Sequence, residues 1–220
     1  MKRRLLLAAG LLAGCSVLPA QQYQQRRDWP LVPRRPETAP SRRGERVLLI
    51  RTVSAAPGLE ARGLQWLLKD GSVNVDYYEQ WAAPPAQAME EALRRWLTDA
   101  GLFAAVVAPG STVTPDLVLE VELTAMHADF GAAPGAEPEA EPGAGVGAGV
   151  ARVGLAMVLL EPHGDTTRVR LQRTEMADTR LAGTDAAAMV AALRDAAASV
   201  LGQVEAAVAS AAEPPRRRPR

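Results

Sequence analysis

Residues 116–126, Asp-Leu-Val-Leu-Glu-Val-Glu-Leu-Thr-Ala-Met, alternate between apolar and polar side chains. One set of alternate positions is apolar: Leu117, Leu119, Val121 and Leu123. The positions between them are Val118, Glu120, Glu122 and Thr124. Successive side chains of a strand point to opposite faces of its sheet. The stretch therefore predicts a strand that buries one face in a core and turns the other outward.

The chain after this strand predicts two more strands and a long helix. Residues 150–160 and 168–176 are the strands, joined by the turn residues Pro162-His163-Gly164-Asp165. Thr184-Asp185 then supplies the side chains that cap a helix N-terminus. Apolar residues follow at intervals of three or four and form one stripe: Met189, Leu193, Ala197, Val200, Val204 and Val208.

The chain before residue 116 predicts four strands and a helix. The strands lie at residues 47–53, 64–68, 73–77 and 102–107. Lys69-Asp70-Gly71 joins the second and third as a hairpin, because Asp-Gly suits a tight turn. Trp81-Ala82-Ala83-Pro84-Pro85 opens the helix, since proline is tolerated in a first turn, and Gly101 suits its end.

This order of elements predicts the fold class. Two amphipathic helices can cover only one face of a sheet. We therefore expect an α/β (α+β) two-layer sandwich, a mixed sheet of about five to six strands with two helices on one face. The other face must meet water or a partner.

The first fourteen residues have the pattern of an export signal. A positive Lys2-Arg3-Arg4 cluster precedes the apolar run Leu5–Leu12, and small residues follow. The run is much shorter than the roughly 20 residues of a membrane-spanning helix. We expect residues 1–14 to be a signal peptide.

Cys15 is the single cysteine of the chain, and Leu12-Ala13-Gly14-Cys15 resembles a lipobox. This resemblance implies cleavage before Cys15, a diacylglycerol on its thiol and an N-acyl chain such as palmitate on the new amine. An unpaired thiol would be unusual in an oxidising compartment. Ser16, where Asp would retain a lipoprotein in the inner membrane, implies the outer membrane, with the protein on its periplasmic face.

The remaining chain is divided by composition. Residues 15–46 follow the signal with prolines and arginine pairs, which predicts an extended tether. Residues 47–209 are expected to form a single domain. Within it, residues 131–149 hold mainly Gly, Ala, Pro and Glu, which predicts a disordered loop. Residues 210–220 are predicted to be a basic disordered tail.

The composition offers little for catalysis. The 25 basic and 25 acidic residues balance, which argues against nucleic acid as a partner. No zinc-ligand spacing or nucleophile elbow is present. His127 and Asp129 are better explained as a chance pair than as an acid and base, and Glu120 and Glu122 as solvent residues. We therefore expect no catalytic residues, no metal and no cofactor besides the lipid on Cys15, and not an enzyme.

Several segments together resemble one family. They are Val47-Leu48-Leu49-Ile50-Arg51, residues 59–66, Val75-Asp76-Tyr77-Tyr78 with Trp81-Ala82-Ala83-Pro84-Pro85, and the late Ala-rich helix. Over residues 47–209 the chain resembles the ABC-type transport auxiliary lipoproteins, the PqiC-like family. The resemblance implies an outer-membrane lipoprotein that docks an MCE-domain protein of a phospholipid transport system, as a ring of copies.

Tyr77, Tyr78 and Trp81 have two explanations. They are aromatic anchors of a partner interface, or core residues that seal helix to sheet. Two other functions also stay open for the whole chain. One is an envelope assembly lipoprotein unrelated to MCE systems. The other is a periplasmic lipid carrier, which requires a deep apolar cavity.

Overall fold

The computed structural model describes residues 24–36, 44–130 and 149–212. Nine strands and two helices follow one another in these residues. They are β1 (Arg27–Trp29), β2 (Val47–Ile50), β3 (Ser54–Ala55), β4 (Gly63–Leu67), β5 (Val73–Trp81), α1 (Pro85–Ala100), β6 (Ala105–Val107), β7 (Leu117–Asp129), β8 (Val150–His163), β9 (Thr166–Arg180) and α2 (Ala186–Ala212).

All strands belong to one mixed sheet built around β7, which is 13 residues long. Along one edge β7 pairs with antiparallel β8, which pairs with antiparallel β9. Along its other edge it pairs in turn with β2, β3 and β4, all parallel to it. Strand β6 lies outside β2, and β5 and then β1 lie outside β4. The predicted fold class is confirmed.

Strand β7 follows the predicted alternation as far as Leu123 and then changes phase. Its residues in the helix-side core before that point are Leu117, Leu119, Val121 and Leu123, whereas Val118, predicted to face outward, is also buried. A bulge between Leu123 and Ala125 then moves the core side to Met126 and Ala128. Gly154 faces the bulge, and a Cβ there would lie 2.7 Å from Thr124 Oγ1. The bulge therefore requires a glycine opposite it.

Both helices pack on the same face of the sheet and begin where their sequence signals predict, and α1 also ends at its predicted signal. Pro85 opens α1, and Gly101, with φ 65°, follows its last residue in the left-handed conformation. The Ala188 amide donates a 2.8 Å hydrogen bond to Asp185 Oδ1, which caps α2. By length and composition α2 could cross a membrane, but its apolar stripe packs in the core of this domain.

The structure corrects the predicted tether. Residues 27–36 lie against the domain, since β1 pairs with β5 and Leu31 is only 7% exposed. The Arg35 guanidinium donates hydrogen bonds of 2.8 and 3.1 Å to the two carboxylate oxygens of Glu205 in α2. Glu205 also accepts a 2.7 Å bond from Trp96 Nε1 in α1. Residues 30–36, named the strap here, therefore fasten the N-terminal segment to both helices.

Other boundaries also differ from those predicted. The sheet has nine strands rather than about five or six, because every predicted strand joins it together with β1 and β3, which have only three and two residues and were not predicted. Helix α2 continues to Ala212, beyond the predicted domain end at residue 209. The signal peptide, Cys15 with Ser16, residues 131–148 of the predicted loop and residues 213–220 of the tail lie outside the described residues.

Candidate functional site on the open face of the sheet

The face of β7, β8 and β9 that the helices leave uncovered carries an open groove of about 600 Å³. The groove lies over β8, the central one of these three strands. Ala156 lies between Glu122 of β7 and Thr174 of β9 in the strand register. Because a methyl group is flanked there by longer side chains, the surface is concave. The groove is lined by Ser54, Glu120, Glu122, Ala156, Val158, Gln172 and Thr174 among others.

The groove has a polar rim and small apolar floor residues. Glu120 accepts a 2.6 Å hydrogen bond from Arg51, in an ion pair whose two side chains are both exposed to solvent. Such a pair contributes little to stability, because water competes for both charges. Glu120 and Glu122, predicted as solvent residues, both line this open groove.

A charged row crosses the same face beside the groove. His127, Arg152 and Asp178 lie directly opposite one another on the three strands. Arg152 donates bonds of 2.9 and 2.8 Å to the two oxygens of Asp178, and its third contact is with Asp129 at 3.5 Å. A bidentate pair between a guanidinium and a carboxylate fixes the orientation of both groups as well as the distance between them.

This arrangement moves the pKa values of the row. Hydrogen bonds from Arg152 hold the pKa of Asp178 below its usual value, and those same bonds raise the pKa of Arg152. Burial lowers the pKa of His127, and the positive charge of Arg152 lowers it further, against the opposing effect of Asp129 and Asp178. The row therefore favours charged Arg152 and Asp178 beside a neutral His127.

Among the residues that the structure describes, two buried side-chain atoms find no hydrogen-bond partner: Thr124 Oγ1 in the bulge and His127 Nε2. An unpaired buried polar group typically costs about 1–3 kcal/mol. The hypothesis of a His127–Asp129 acid and base gains nothing from the geometry, since Asp129 pairs with Arg152. The open face instead combines a polar groove with a row of paired charges.

The three aromatic residues considered as a possible interface, Tyr77, Tyr78 and Trp81, differ in burial. Trp81 is 1% exposed and lies in the core, as the packing alternative predicts. Tyr77 is 68% exposed, and its ring meets that of half-buried Tyr78 edge to face, with centroids 5.1 Å apart. The Arg26 guanidinium lies 4.4 Å from the Tyr77 ring centroid. Of the three, Tyr77 is the one whose side chain is available to a partner.

Sequence reasoning missed the partners of the charged row. Arg152 and Asp178 are 26 residues apart in the chain, and only the register of β8 and β9 brings them together. A chain in which nearly every basic residue is arginine gives no reason to choose Arg152 in advance. In the described ranges, no group of three or more His, Cys, Asp or Glu side chains could hold a metal ion.

Known proteins show which family this fold and sequence belong to. A family model described as ABC-type transport auxiliary lipoprotein component matches residues 30–205. The chain belongs to this family. The family is one of transport auxiliaries and not a known enzyme family. The match begins at the first residue of the strap, in agreement with the packing of residues 30–36 on the domain.

Solved structures share the fold of this transport auxiliary lipoprotein. Protein XCC0632 from Xanthomonas campestris aligns with a TM-score of 0.66 at 23% identity, over 83% of this chain and 95% of that one. An uncharacterized protein aligns with a TM-score of 0.57 at 15% identity, over 84% of this chain and 98% of the other. At such identities the likeness concerns the fold alone. No curated protein sequence matches this chain.

Proposed function

We propose that this lipoprotein is a non-catalytic docking component of an MCE-type ABC phospholipid transport system, held on the periplasmic face of the outer membrane. The family match over residues 30–205 carries the proposal, since it assigns the chain to the auxiliaries of ABC transport. The MCE partner and the membrane are inferred from the sequence resemblance and from the residues around Cys15.

The open face of β7–β9 is the docking surface in this proposal. It offers shape in the groove at Ala156 and fixed charges in Arg152 and Asp178. Charges held in place by strand register favour one orientation of the partner over others.

A lipid carrier is a weaker explanation of the same surface. A carrier has to enclose acyl chains in a deep apolar cavity. The groove described here is open, and the carboxylates of Glu120 and Glu122 line it. Burying those carboxylates against acyl chains would be unfavourable.

The test of the partner is affinity purification of the tagged, full-length protein in mild detergent, followed by mass spectrometry. We expect an MCE-domain protein to copurify. The variant Ala156→Arg fills the groove and should reduce that recovery at least tenfold. Ala191→Arg, on the exposed side of α2, is the matched control and should leave it unchanged. Purification with unrelated envelope machinery would favour the envelope-assembly alternative and reject the MCE assignment.

The anchor is tested separately from the partner. Mass spectrometry of the mature N-terminal peptide should find diacylglycerol and an N-acyl chain on Cys15, and Cys15→Ser should abolish both. Fractionation should place the protein in the outer membrane, and Ser16→Asp should retain it in the inner membrane. An unmodified Cys15 would reject the anchor but not the docking surface.

The family resemblance also implies a ring of copies. Strand β9, an edge of the sheet, pairs only with β8 among the described residues, and such an edge can join a second chain. Sedimentation of the protein in detergent should give a discrete oligomer above the monomer mass. A single monomeric species at all concentrations would reject the ring.

A further inference from the structure

The β4–β5 hairpin exposes an apolar surface at its outer end. Val73, Val75 and Tyr77 occupy alternate positions of β5 and therefore lie on one face of the hairpin. Leu68 directly follows β4, at the turn that joins the two strands. The exposed fraction is 55% for Val73, 44% for Val75, 68% for Tyr77 and 41% for Leu68. These four residues are named the hairpin stripe here.

The stripe is a concentration of apolar exposure and not the general character of the surface. Among the described residues, eight large hydrophobic side chains are exposed, and four of them form the stripe. The other four are spread over the strap, the loop before β7 and strand β9: Val32, Val113, Val169 and Met176. Contiguous apolar exposure of this kind usually marks a contact site.

The chain enters the domain beside this hairpin and from the direction of its tip. Strand β1 runs parallel to β5, with Arg27 opposite Glu79 and Trp29 opposite Trp81. Going back from Arg27 therefore leads along β5 toward its first residue and the turn. The contact between Arg26 and the Tyr77 ring shows this direction directly.

The strap shortens the distance at which Cys15 can hold the domain. Because Leu31 is buried and Arg35 is bound to Glu205, residues 27–36 cannot act as a spacer. The connection from Cys15 to the first described residue, Gln24, then has nine Cα–Cα steps. At up to 3.6 Å per residue these nine steps span at most about 32 Å.

We propose that the hairpin stripe is a second membrane contact, in which the outer end of the β4–β5 hairpin enters the interface of the lipid leaflet that holds Cys15. This inference rests on the proposed lipid anchor. The valines and Leu68 face the boundary between headgroups and acyl chains, and Tyr77 lies at headgroup level. The lipid anchor and the hairpin together fix the orientation of the domain, so that the groove at Ala156 is presented at a defined height above the membrane.

The contact is hydrophobic rather than electrostatic. Near the tip, the positive charges of Lys69 and Arg26 are accompanied by the negative charges of Asp70 and Asp76. This balance gives no net attraction to anionic lipid. Added salt should therefore change the contact little, because screening acts on charges and not on apolar burial.

The test uses the full-length, lipidated protein in vesicles of phosphatidylethanolamine and phosphatidylglycerol. The chain has a single cysteine, so an introduced cysteine is the only free thiol once Cys15 is acylated. An environment-sensitive fluorophore is attached at Val73→Cys in the stripe and, as control, at Val169→Cys on β9. The two valines are 55% and 57% exposed, which makes them a matched pair.

The expected result is a blue-shifted emission at residue 73 that is quenched by brominated acyl chains, with a water-like emission at residue 169. Val75→Cys should repeat the result of residue 73. A water-like emission at both stripe positions, with wild-type protein that takes up no label, would overturn the hairpin contact while the anchor stands. Wild-type protein that takes up label has a free Cys15, which would overturn the anchor and the hairpin contact with it. Shielding of residue 73 only when the copurified partner is present would overturn the membrane contact in favour of a protein contact.

Discussion

Strands β5 and β9 lie near opposite edges of the sheet and expose apolar side chains in different ways. On β9, Val169 and Met176 stand apart, with charged residues between and around them, such as Arg173 and Glu175. On β5, the apolar residues of the stripe are consecutive on one face.

The inner end of β5 differs from its outer end as well. Strand β1 covers the edge at Glu79–Trp81, and Arg62 donates hydrogen bonds to the carbonyl oxygens of Trp81 and Ala82. No described strand extends this cover to Val73, since the register of β1 ends at Glu79. Charges interrupt the apolar exposure of β9, a usual protection of sheet edges, whereas β5 leaves an apolar end next to the incoming chain. Apolar exposure at a sheet edge therefore indicates a contact site when it is contiguous.

The largest expected effect separates the two ends of β5. In the mature chain, Trp81→Ala should lower the free energy of unfolding by about 3–5 kcal/mol, because a large buried side chain leaves a cavity. Tyr77→Ala should lower it by less than about 1 kcal/mol, since that ring is mostly in water. Denaturant unfolding measures both. Equal losses would mean that the stripe serves the fold rather than a contact.

A second prediction tests whether the strap holds β1 on the β5 edge. Glu205→Ala removes the partner of both Arg35 and Trp96 and should cost about 1–3 kcal/mol. Amides at Glu79–Ala82 should then exchange faster, while amides of β8 and β9 keep their protection. Glu91→Ala is the matched control, because Glu91 pairs with Arg94 and Arg95 on the exposed surface of α1. Unchanged exchange at residues 79–82 would show that β1 holds without the strap.

A third prediction concerns the pH dependence of stability and His127, which lies on the open face of the sheet. Burial lowers the pKa of His127 below 6.5 in the folded protein, so the unfolded chain binds a proton more readily. Its contribution to stability is therefore present above the unfolded pKa of about 6.5 and is lost as pH falls from there toward the lowered folded value. The groups that act on it are Arg152, Asp129 and Asp178.

Unfolding free energies of the wild type and His127→Gln, measured from about pH 7.5 down to pH 5, should diverge in this direction. The wild type should lose more stability than the variant over that interval. His163→Gln, in the exposed β8–β9 turn, is the control and should follow the wild type. Parallel curves for the wild type and His127→Gln would place the origin of any pH dependence elsewhere.

The smallest effect is expected at the two exposed valines. Val73→Thr and Val169→Thr should each change the free energy of unfolding of the mature chain by no more than about 0.5 kcal/mol. The two edges then differ in what they contact and not in what they contribute to folding. A loss well above this value at residue 73 alone would contradict that separation.

The sequence predicted most of the regular elements because their signals are local. Alternation marked β7, the Asp-Gly turn marked the β4–β5 hairpin, and Asp185 and Gly101 marked helix ends. It did not predict the bulge at Thr124, since a change of phase depends on what the partner strand offers. Here the partner offers Gly154, which has no side chain to obstruct the bulge.

The prolines and arginines of residues 27–36 were wrongly assigned to an extended tether. Their composition is that of a linker, and no local pattern distinguishes a packed strap from a free one. The deciding contact joins Arg35 to Glu205, 170 residues apart. In the same way, Tyr77 and Trp81 are alike in sequence as aromatic residues of one strand, yet one is exposed and the other buried.

By itself, the sequence determined the two-layer class, the order of strands and helices and membership of a lipoprotein family, because each follows from periodicity, capping residues and short motifs. The tertiary structure alone decided which face of the sheet stays open, how Arg152 joins Asp178 and Asp129, and where the chain enters beside the hairpin. Those properties depend on strand register and on contacts between distant segments, and side chains that meet only after folding leave no pattern along the chain.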